Sequence, residues 1–336
     1  MLLSRLRSAV PVGLALSAAT AAASSQYCSR AEAAQPSIAS KRTVYAKPSM
    51  IVRDPDEFAR KWKKFCTDGL DKLIVIADFD QTLTPQFKPS GEHASSSHSV
   101  LMSSKFVDPA VAAAEKELFQ KYFPIEMSPT MTQDEKLPYM VEWWTSAHNV
   151  LVKSKLRKQQ IRDAVAHSEL LFRPGFSEIF RVLAQENVPT LIFSAGLYDV
   201  IHAVLDQQFQ REGLAGTPAN VHVVSNMMQF DKQGVLTGFQ GNLIHCFNKN
   251  ASVLLDTPFY RACQMQQRRN ILLLGDSRGD INMAKGLDVT EDEIIRVGFL
   301  NVHVHESLED YLALYDVVLT NDASLRPVEL LIHQIQ

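Results

Sequence analysis

The stretch "LIVIADFDQTLT", residues 73–84, decides the fold and predicts where the chemistry lies. Five apolar residues run from Leu73 to Ala77 and are followed by Asp78 and, one residue later, Asp80. A continuous apolar run is typical of a strand covered on both faces. Because side chains alternate along a strand, both aspartates start on the same side, where they repel unless a cation or a shared proton intervenes. The stretch therefore predicts a buried strand that ends at a Mg²⁺ site; a strand cap with a turn aspartate is the alternative.

Further apolar runs of strand length alternate with amphipathic segments along the chain. The runs are "VPTLIFSAG", "VHVVSN", "NILLLGDS", "IIRVGFLN" and "YDVVLT", and the amphipathic segments are 174–186, 198–211 and 278–286. Alternating strands and helices predict an α/β fold with a doubly wound parallel sheet. Residues 228–245, with three glycines among alternating apolar residues, predict a small β-hairpin. Ligands bind such parallel sheets at the carboxyl ends of the strands, where the DFD, FSAG and GDS motifs lie.

A helical pattern in residues 85–171 interrupts this alternation and indicates a second, smaller domain. Within it Thr132 is followed three residues later by Glu135, the arrangement of an N-terminal capping box. We therefore expect a core built from residues 46–84 and 172–336. The helical segment between them would be a cap domain inserted after strand one and lying over the active site.

The composition indicates a globular protein of about two domains. The chain has 336 residues, is 46% hydrophobic and carries a net charge of −3 from 34 basic and 37 acidic residues. No basic patch indicates a nucleic-acid partner, and no segment has the ~20 strongly apolar residues that span a membrane. Four widely spaced cysteines without a CxxC pair argue against a disulfide framework or a zinc site and are typical of a reducing compartment.

The first 45 residues are predicted to be a targeting or disordered extension outside the fold. Their first 31 residues contain no Asp or Glu, are rich in Ala and Ser, and carry Arg5, Arg7 and Arg30. This composition is typical of a transit peptide to an organelle, mitochondrial or plastid. A secretory signal and a plain disordered extension are the alternatives.

Three further motifs lie at predicted strand ends. "LLLGDSRGD" supplies Asp276 and Asp280, whose spacing puts both on one face if a helix starts there. They could complete the oxygen shell of the same metal, or form only a turn and a helix cap. "FSAG" supplies the Ser194 hydroxyl and backbone amides, including that of Ala195, at a predicted helix start, which is a site for anions. Lys249 follows in a loop, where a lysine is ordinarily just solvated.

Taken in chain order, DxDxT, serine, lysine and GDxxxD resemble the motifs of the haloacid dehalogenase superfamily of phosphohydrolases over residues 70–322. The resemblance implies that Asp78 attacks phosphorus and forms an aspartyl phosphate. Asp80 would protonate the leaving alkoxide and then activate water. Such covalent catalysis splits one hard displacement into two steps, and one carboxyl can serve as acid and then base. Gln81 departs from the pattern, because many members have Gly there.

The same resemblance implies which residues bind the phosphoryl group and a Mg²⁺ cofactor. Ser194 and Lys249, with the neighbouring Ala195, would hold the phosphoryl oxygens, while the metal would offset the charge of nucleophile and phosphate. The implied metal ligands are Asp78, Asp80 through its backbone carbonyl, Asp276 and, either directly or by orienting the other ligands, Asp280.

A longer set of segments resembles the cytosolic 5'-nucleotidase III family, which includes pyrimidine 5'-nucleotidase and a form that prefers 7-methylguanosine phosphate. The segments are "DEKLPYMVEWWTSAHN", "FSAGLYDVI", "VVSNMMQFD", "GNLIHCFNKN" and "LLLGDSRGDINMA". This resemblance implies a monomeric, cytoplasmic enzyme that uses Mg²⁺ to hydrolyse nucleoside 5'-monophosphates to nucleoside and phosphate.

Base recognition is expected from the predicted cap. The resemblance implies that Glu142 contacts the base or the ribose. The adjacent Trp143 and Trp144 point about 100° apart on a helix, so one ring packs in the core while the other can stack on a base, including a cationic 7-methylguanine. The Trp-Trp pair, where the family often has Trp-Tyr, favours the 7-methylguanosine-type form. His98, in the linker after the first motif, is a further candidate for substrate contact.

Two other functions remain open at this point. One is a phosphatase of another small metabolite such as phosphoserine, against which Glu142 and its tryptophans argue. The other is a catalytically silent nucleotide-binding protein, which would be free to lose the catalytic aspartates and lysine that this chain retains. P-loop, GxGxxG, HExxH and GxSxG patterns are absent from the sequence, which disfavours kinases, dehydrogenases, zinc proteases and serine hydrolases.

Overall fold

The structure is a computed structural model that describes residue 47 and residues 49–128, 130–255 and 257–335. The predicted extension, residues 1–45, lies outside the described residues, so its targeting role stays a prediction. None of the helices in the described part of the chain combines the length and apolar character needed to cross a membrane.

The strands form a single mixed sheet. Within the described residues they are β1 (Ser49–Val52), β2 (Leu73–Asp78), β3 (Thr190–Leu197), β4 (Val221–Phe230), β5 (Leu236–Gln240), β6 (Asn270–Gly275), β7 (Ile294–Leu300) and β8 (Val317–Thr320). Their order is β1-β8-β7-β6-β2-β3-β4-β5. The six strands from β8 to β4 pair in parallel, whereas the edge strands β1 and β5 pair antiparallel with their neighbours. The predicted α/β fold with a doubly wound parallel sheet is confirmed.

Helices cover both faces of this sheet. They are α1 (Pro55–Asp68), α2 (Ser97–Met102), α3 (Pro109–Glu126), α4 (Gln133–Lys153), α5 (Lys158–Ala166), α6 (Phe176–Gln185), α7 (Tyr198–Arg211), α8 (Pro258–Ala262), α9 (Val304–Leu314) and α10 (Arg326–Gln334). Along β2, Leu73 and Val75 belong to one buried cluster, while Ile74 and Ile76 belong to a second one on the opposite face. Burial on both sides explains why the strand reads as an unbroken apolar run.

Two local predictions had different outcomes. The hairpin is confirmed, because β5 pairs antiparallel with the end of β4, from Met227 opposite Gln240 to Phe230 opposite Leu236. The helix expected over residues 278–286 is wrong: only a short 3-10 helix, Asp280–Asn282, forms there. The Asp280 carboxylate accepts hydrogen bonds from backbone amides just before it, which favours a tight turn over a regular helix.

The inserted helices, α2–α5, occupy the chain between β2 and β3. Helix α4 begins with the predicted capping box, in which Thr132 and Glu135 each bind the other's backbone amide. Met140 and Leu151 are buried on its inner face, whereas Leu137 is 39% exposed. The division of these helices from the core as a separate cap domain stays a prediction.

Arg173 fixes the loop that follows β2. Its buried guanidinium donates to the carbonyl oxygens of Gln81 at 2.7 Å and Thr82 at 2.9 Å, and to the Asp322 carboxylate at 2.8 Å. Asn301 also donates to the Gln81 carbonyl, at 2.9 Å. Gln81 has a φ of 63°, a left-handed conformation that costs a non-glycine residue about 1 kcal/mol. The positive φ explains why glycine suits this position. In this chain the hydrogen bonds from Arg173 and Asn301 to the Gln81 carbonyl stabilise the same conformation with glutamine.

Candidate active site

The predicted strand-end aspartates converge at the carboxyl edge of the sheet. Asp78 is the last residue of β2 and Asp276 follows β6, and these two strands are hydrogen-bonded neighbours. Asp78, Asp276 and Asp280 each offer a carboxylate oxygen, and these oxygens lie within 4.8 Å of one another. A Cβ at Gly275 would lie 2.5 Å from the Asp280 Cβ, so only glycine at this position allows the approach. We call these three aspartates the strand-end cluster.

Lys249 is the cation that the protein itself contributes. Its buried ammonium donates to the carboxylates of Asp78 and Asp280, at 3.0 Å to the latter. Burial alone would lower the pKa of Lys249, but the two carboxylates raise the pKa above its ordinary value. From the sequence alone, a loop lysine is expected to be solvated. In the structure Lys249 is instead buried at the centre of the site.

The charges of the cluster do not balance. Three carboxylates face one ammonium, so the fully ionised set keeps an excess of negative charge away from water. Burial, the largest cause, raises the pKa of Asp78 to about 7, and the Asp280 carboxylate adds to the effect while Lys249 opposes it. Burial followed by the charge of Asp78 raises the pKa of Asp276 well above its usual range. The arrangement favours a further cation that would keep these groups ionised.

Asp280 has a structural and an electrostatic role at once. Its Oδ2 accepts from the backbone amides of Asp276 at 3.2 Å and Ser277 at 2.9 Å and from the Ser277 hydroxyl at 2.8 Å. Its Oδ1 accepts from Lys249. The carboxylate therefore caps a turn and also belongs to the strand-end cluster, whereas its place in the oxygen shell of a metal stays a prediction.

The carboxylate of Asp80 is held by Ser97, and Asp80 is not one of the three aspartates of the cluster. It accepts from the Ser97 backbone amide at 2.7 Å and from the Ser97 hydroxyl, both at the start of α2. A Cβ at Gly196 would lie 2.6 Å from the same hydroxyl, so Ser97 lies between Asp80 and the FSAG segment. The sequence analysis missed Ser97, because nothing in a serine-rich linker marks one serine over its neighbours.

The FSAG segment lies at the end of β3 rather than in the first turn of α7. The pairing of β3 with β4 becomes irregular between Phe193 and Leu197. The buried Ser194 hydroxyl accepts from the Gly196 amide at 3.0 Å. The Ala195 carbonyl accepts from the Asn226 side chain at 2.7 Å and from the indole N–H of Trp144 at 3.0 Å.

The two tryptophans have different surroundings. Trp144 contacts the FSAG segment through the hydrogen bond to Ala195, whereas Trp143 packs among aromatic rings of the inserted helices. The ring of Trp143 stacks on Tyr122 with centroids 5.9 Å apart and meets Phe119 edge-on at 6.0 Å. Of the two, Trp144 is therefore the ring placed beside the candidate site.

Glu142 lies on the exposed surface of α4. Its side chain is 55% exposed and accepts from the Lys121 ammonium at 3.2 Å. Hydrogen bonds from Tyr122 and Lys121 lower its pKa. The carboxylate thus already has partners on the surface of the inserted helices, which weakens its assignment to base recognition.

Glu126, which the sequence analysis did not single out, is a better placed carboxylate. It ends α3, is partly buried, and accepts a hydrogen bond from the Cys246 thiol; burial raises its pKa, while Cys246 and the nearby Lys249 lower it. Lys136 donates to its backbone oxygen at 2.8 Å. A glutamate at the end of an amphipathic helix has no sequence signature, so only the packing could reveal it.

Comparisons with known proteins agree with this geometry. The family model of pyrimidine 5'-nucleotidase (UMPH-1) matches residues 81–336. A 7-methylguanosine phosphate-specific 5'-nucleotidase of Mus musculus is 39% identical over 289 residues, covering 86% of this chain and 93% of that protein. The enzyme of the same name from Gallus gallus is 40% identical over 279 residues, covering 83% and 93%. A crystal structure of cytosolic 5'-nucleotidase IIIB bound to cytidine superposes with a TM-score of 0.75 at 32% identity, covering 85% of this chain and 93% of that one.

Proposed function

The chain belongs to the pyrimidine 5'-nucleotidase family, and from that premise we propose that it uses Mg²⁺ to hydrolyse nucleoside 5'-monophosphates to nucleoside and phosphate. The observation that carries the proposal is the strand-end cluster paired with Lys249, in which Asp78 and Asp280 are buried and Asp276 is partly buried. Carboxylates and one lysine concentrated at the carboxyl ends of neighbouring strands suit the transfer of a phosphoryl group.

The donor set fits Mg²⁺. The ion prefers oxygen ligands and is ordinarily bound by one or two carboxylates together with substrate phosphate. Asp78 and Asp276 would hold it, with Asp280 orienting them, and the excess negative charge of the cluster supports this assignment. The ion would supply electrostatic stabilisation of the phosphoryl group during its transfer. The backbone carbonyl of Asp80 remains a proposed further ligand.

Asp78 is the proposed nucleophile. Its carboxylate lies at the tip of a central strand and is oriented by the Lys249 ammonium, which also would hold a phosphoryl oxygen. Attack by Asp78 on phosphorus breaks the bond to the nucleoside 5'-oxygen and forms an aspartyl phosphate, which water then hydrolyses. The Ser194 hydroxyl and the Ala195 amide would bind the remaining phosphoryl oxygens.

Asp80 is the proposed acid and base. Burial raises its pKa, although the two hydrogen bonds from Ser97 oppose the shift. A carboxyl with a raised pKa can give a proton to the leaving 5'-oxygen and, once ionised, take one from the attacking water. The Ser97 contacts hold both carboxylate oxygens and so fix the orientation of the group.

Recognition of the nucleoside is proposed for Trp144 and Glu126. Trp144 is held beside the FSAG segment, and Glu126 offers a carboxylate on the side of Lys249. The relatives named above act on 7-methylguanosine phosphate or carry a pyrimidine nucleotidase name, so both pyrimidine and 7-methylguanosine monophosphates are proposed substrates.

A cytoplasmic location is proposed as well. A Caenorhabditis elegans relative, 36% identical over 280 residues, is named putative cytosolic 5'-nucleotidase 3. Imaging of the full chain with a C-terminal fluorescent tag distinguishes this location from an organelle reached through residues 1–45.

The proposed activity is tested by phosphate release from CMP, UMP, AMP, GMP, 7-methyl-GMP and phosphoserine, side by side, with Mg²⁺ and with a chelator. We expect CMP or 7-methyl-GMP to exceed phosphoserine in kcat/KM by at least ~10-fold, the discrimination that roughly 1.4 kcal/mol of nucleoside contacts supplies. Chelation should abolish turnover of all substrates alike. Equal turnover of phosphoserine would make the protein a broad small-phosphate phosphatase.

A further inference from the structure

Glu115, on the inner face of α3, is a buried carboxylate without a sufficient set of partners. Its exposure is 3%, and within the described residues its Oε1 receives no hydrogen bond. Val111 and Tyr122 share this buried face of the helix. An unpaired carboxylate oxygen in a protein interior destabilises the fold, and alanine or leucine would serve packing better. A residue of this kind suggests a role outside stability.

His98 lies between Glu115 and the accessible surface. The His98 Nε2 atom is 4.0 Å from the Glu115 Oε2 atom, which is too long for a hydrogen bond. Half of the imidazole side chain is exposed, and desolvation by the surrounding protein lowers the pKa of His98. Burial raises the pKa of Glu115 to about 7. His98 and Glu115 are therefore near each other but form no hydrogen bond.

The start of α2, which carries His98, is held against the proposed acid. His98 directly follows Ser97, whose amide and hydroxyl hold both oxygens of Asp80. The nucleoside 5'-oxygen must lie beside Asp80 in order to take its proton. One carbon joins this oxygen to the ribose, so within the nucleoside the ribose would lie nearer to Asp80 and the start of α2 than the base does.

We propose that His98 contacts the ribose and that Glu115 is the positioning residue behind it, so that the pair selects nucleotides over smaller phosphate esters. This inference rests on the proposed function. With Nε2 turned toward Glu115, the Nδ1 atom is left for a ribose hydroxyl. Hydrogen bonds of active sites are often long without substrate and tighten when it binds. Closure of the gap would give the Glu115 Oε2 atom an imidazole partner only in the complex with a nucleotide.

The test compares Glu115→Gln with Glu117→Gln, an exposed glutamate on the same helix. We expect Glu115→Gln to raise KM for CMP about five- to tenfold, the loss of roughly one hydrogen bond, with kcat within about twofold. Hydrolysis of p-nitrophenyl phosphate, which has no ribose, should stay within about twofold for both variants. The Glu117 variant should match wild type on both substrates.

Two further measurements separate positioning from structure. Glu115→Leu should raise Tm, because it removes the unpaired buried carboxylate, and should still raise KM for CMP. In a His98→Ala background, Glu115→Gln should add no further loss, because Glu115 acts through the imidazole.

An equal loss on both substrates, or a loss that adds fully to that of His98→Ala, would overturn the inference. If the wild-type protein hydrolyses p-nitrophenyl phosphate and the Asp78→Asn variant does not, the proposed catalytic function stands. A wild-type KM for CMP in Glu115→Gln then counts against this inference alone.

Discussion

The strand-end cluster and the inserted helices hold their carboxylates in opposite ways. Asp78 and Asp276 are fixed by adjacent strands, and their positions follow from the sheet alone. On the inserted helices, Glu126 and Glu142 lie in the same segment, but one approaches Lys249 while the other pairs with Lys121 on the surface. The difference teaches that a motif at a strand end predicts its own location, whereas a polar residue on a helix depends on how that helix packs.

The largest effect is expected at the strand end. Asp78→Asn preserves size but removes the attacking charge, so kcat should fall by at least ~10³ on every substrate. Asp292→Asn is the matched control, since this exposed aspartate pairs with Arg60 at the surface. Phosphate release, with a purified inactive preparation as the blank, provides the measurement. Near-normal turnover by Asp78→Asn would show that the cluster has no covalent role.

Asp80→Asn should separate the two proposed roles of carboxylates at this strand end. Loss of the acid should lower kcat for CMP by about 10²–10⁴, and less for p-nitrophenyl phosphate, because nitrophenolate leaves without a proton. Stopped assays of both substrates at one pH measure the ratio. Because Asp80 is also the proposed base that activates water, the variant should lose some activity on both substrates. Identical losses on the two substrates would mean that Asp80 is not the acid.

Smaller effects are expected on the inserted helices, where Glu126→Gln and Glu142→Gln are compared by their KM values. Glu126→Gln should raise KM for the preferred nucleotide by about 5- to 20-fold, since a hydrogen bond to a charged group contributes roughly 1–2 kcal/mol. Glu142→Gln, at an exposed ion pair, should change KM by less than about twofold. Steady-state kinetics on CMP and 7-methyl-GMP measure both variants. The reverse ranking would return base recognition to Glu142.

The tryptophans should give the smallest and most selective change. Trp144→Ala should weaken kcat/KM for 7-methyl-GMP more than for CMP, by about 1–2 kcal/mol, if the ring lies on a cationic base. Trp143→Ala should lower Tm through lost packing against Tyr122 and Phe119 but preserve the ranking of bases. If Trp143→Ala changes the ranking of bases and Trp144→Ala does not, then Trp143 contacts the base and Trp144 has the packing role.

The sequence predicted most of the sheet and of the strand-end cluster, for a local physical reason. The apolar run before Asp78 predicts a strand that is buried on both faces, and alternate residues of β2 do belong to two buried clusters. The carboxyl ends of parallel strands share one edge, so Asp276 could be placed beside Asp78 without coordinates. Edge strand β1 and helix α1 were not singled out, because each is short or ordinary in composition.

The rest depended on packing that periodicity does not encode. The expected helix at 278–286 failed because Asp280 binds the amides before it. The Asp80–Ser97 contact joins positions 17 residues apart across a linker without regular structure in most of its length. Glu142 was expected to contact the nucleoside because of the family resemblance, and the two adjacent tryptophans supported that expectation. Adjacency along a helix, however, says little about which side chains face one site.

The most direct test of the account is to trap the phosphoenzyme. Oxygen from labelled water enters the phosphate whether water attacks an aspartyl phosphate or the nucleotide itself, so labelling of the product does not distinguish the two routes. Acid quenching during turnover, followed by mass spectrometry of the peptide spanning residues 73–105, should therefore find the phosphoryl group on Asp78. A quenched enzyme that carries no phosphoryl group while phosphate accumulates in a burst, or one that carries it on another residue, would contradict the account.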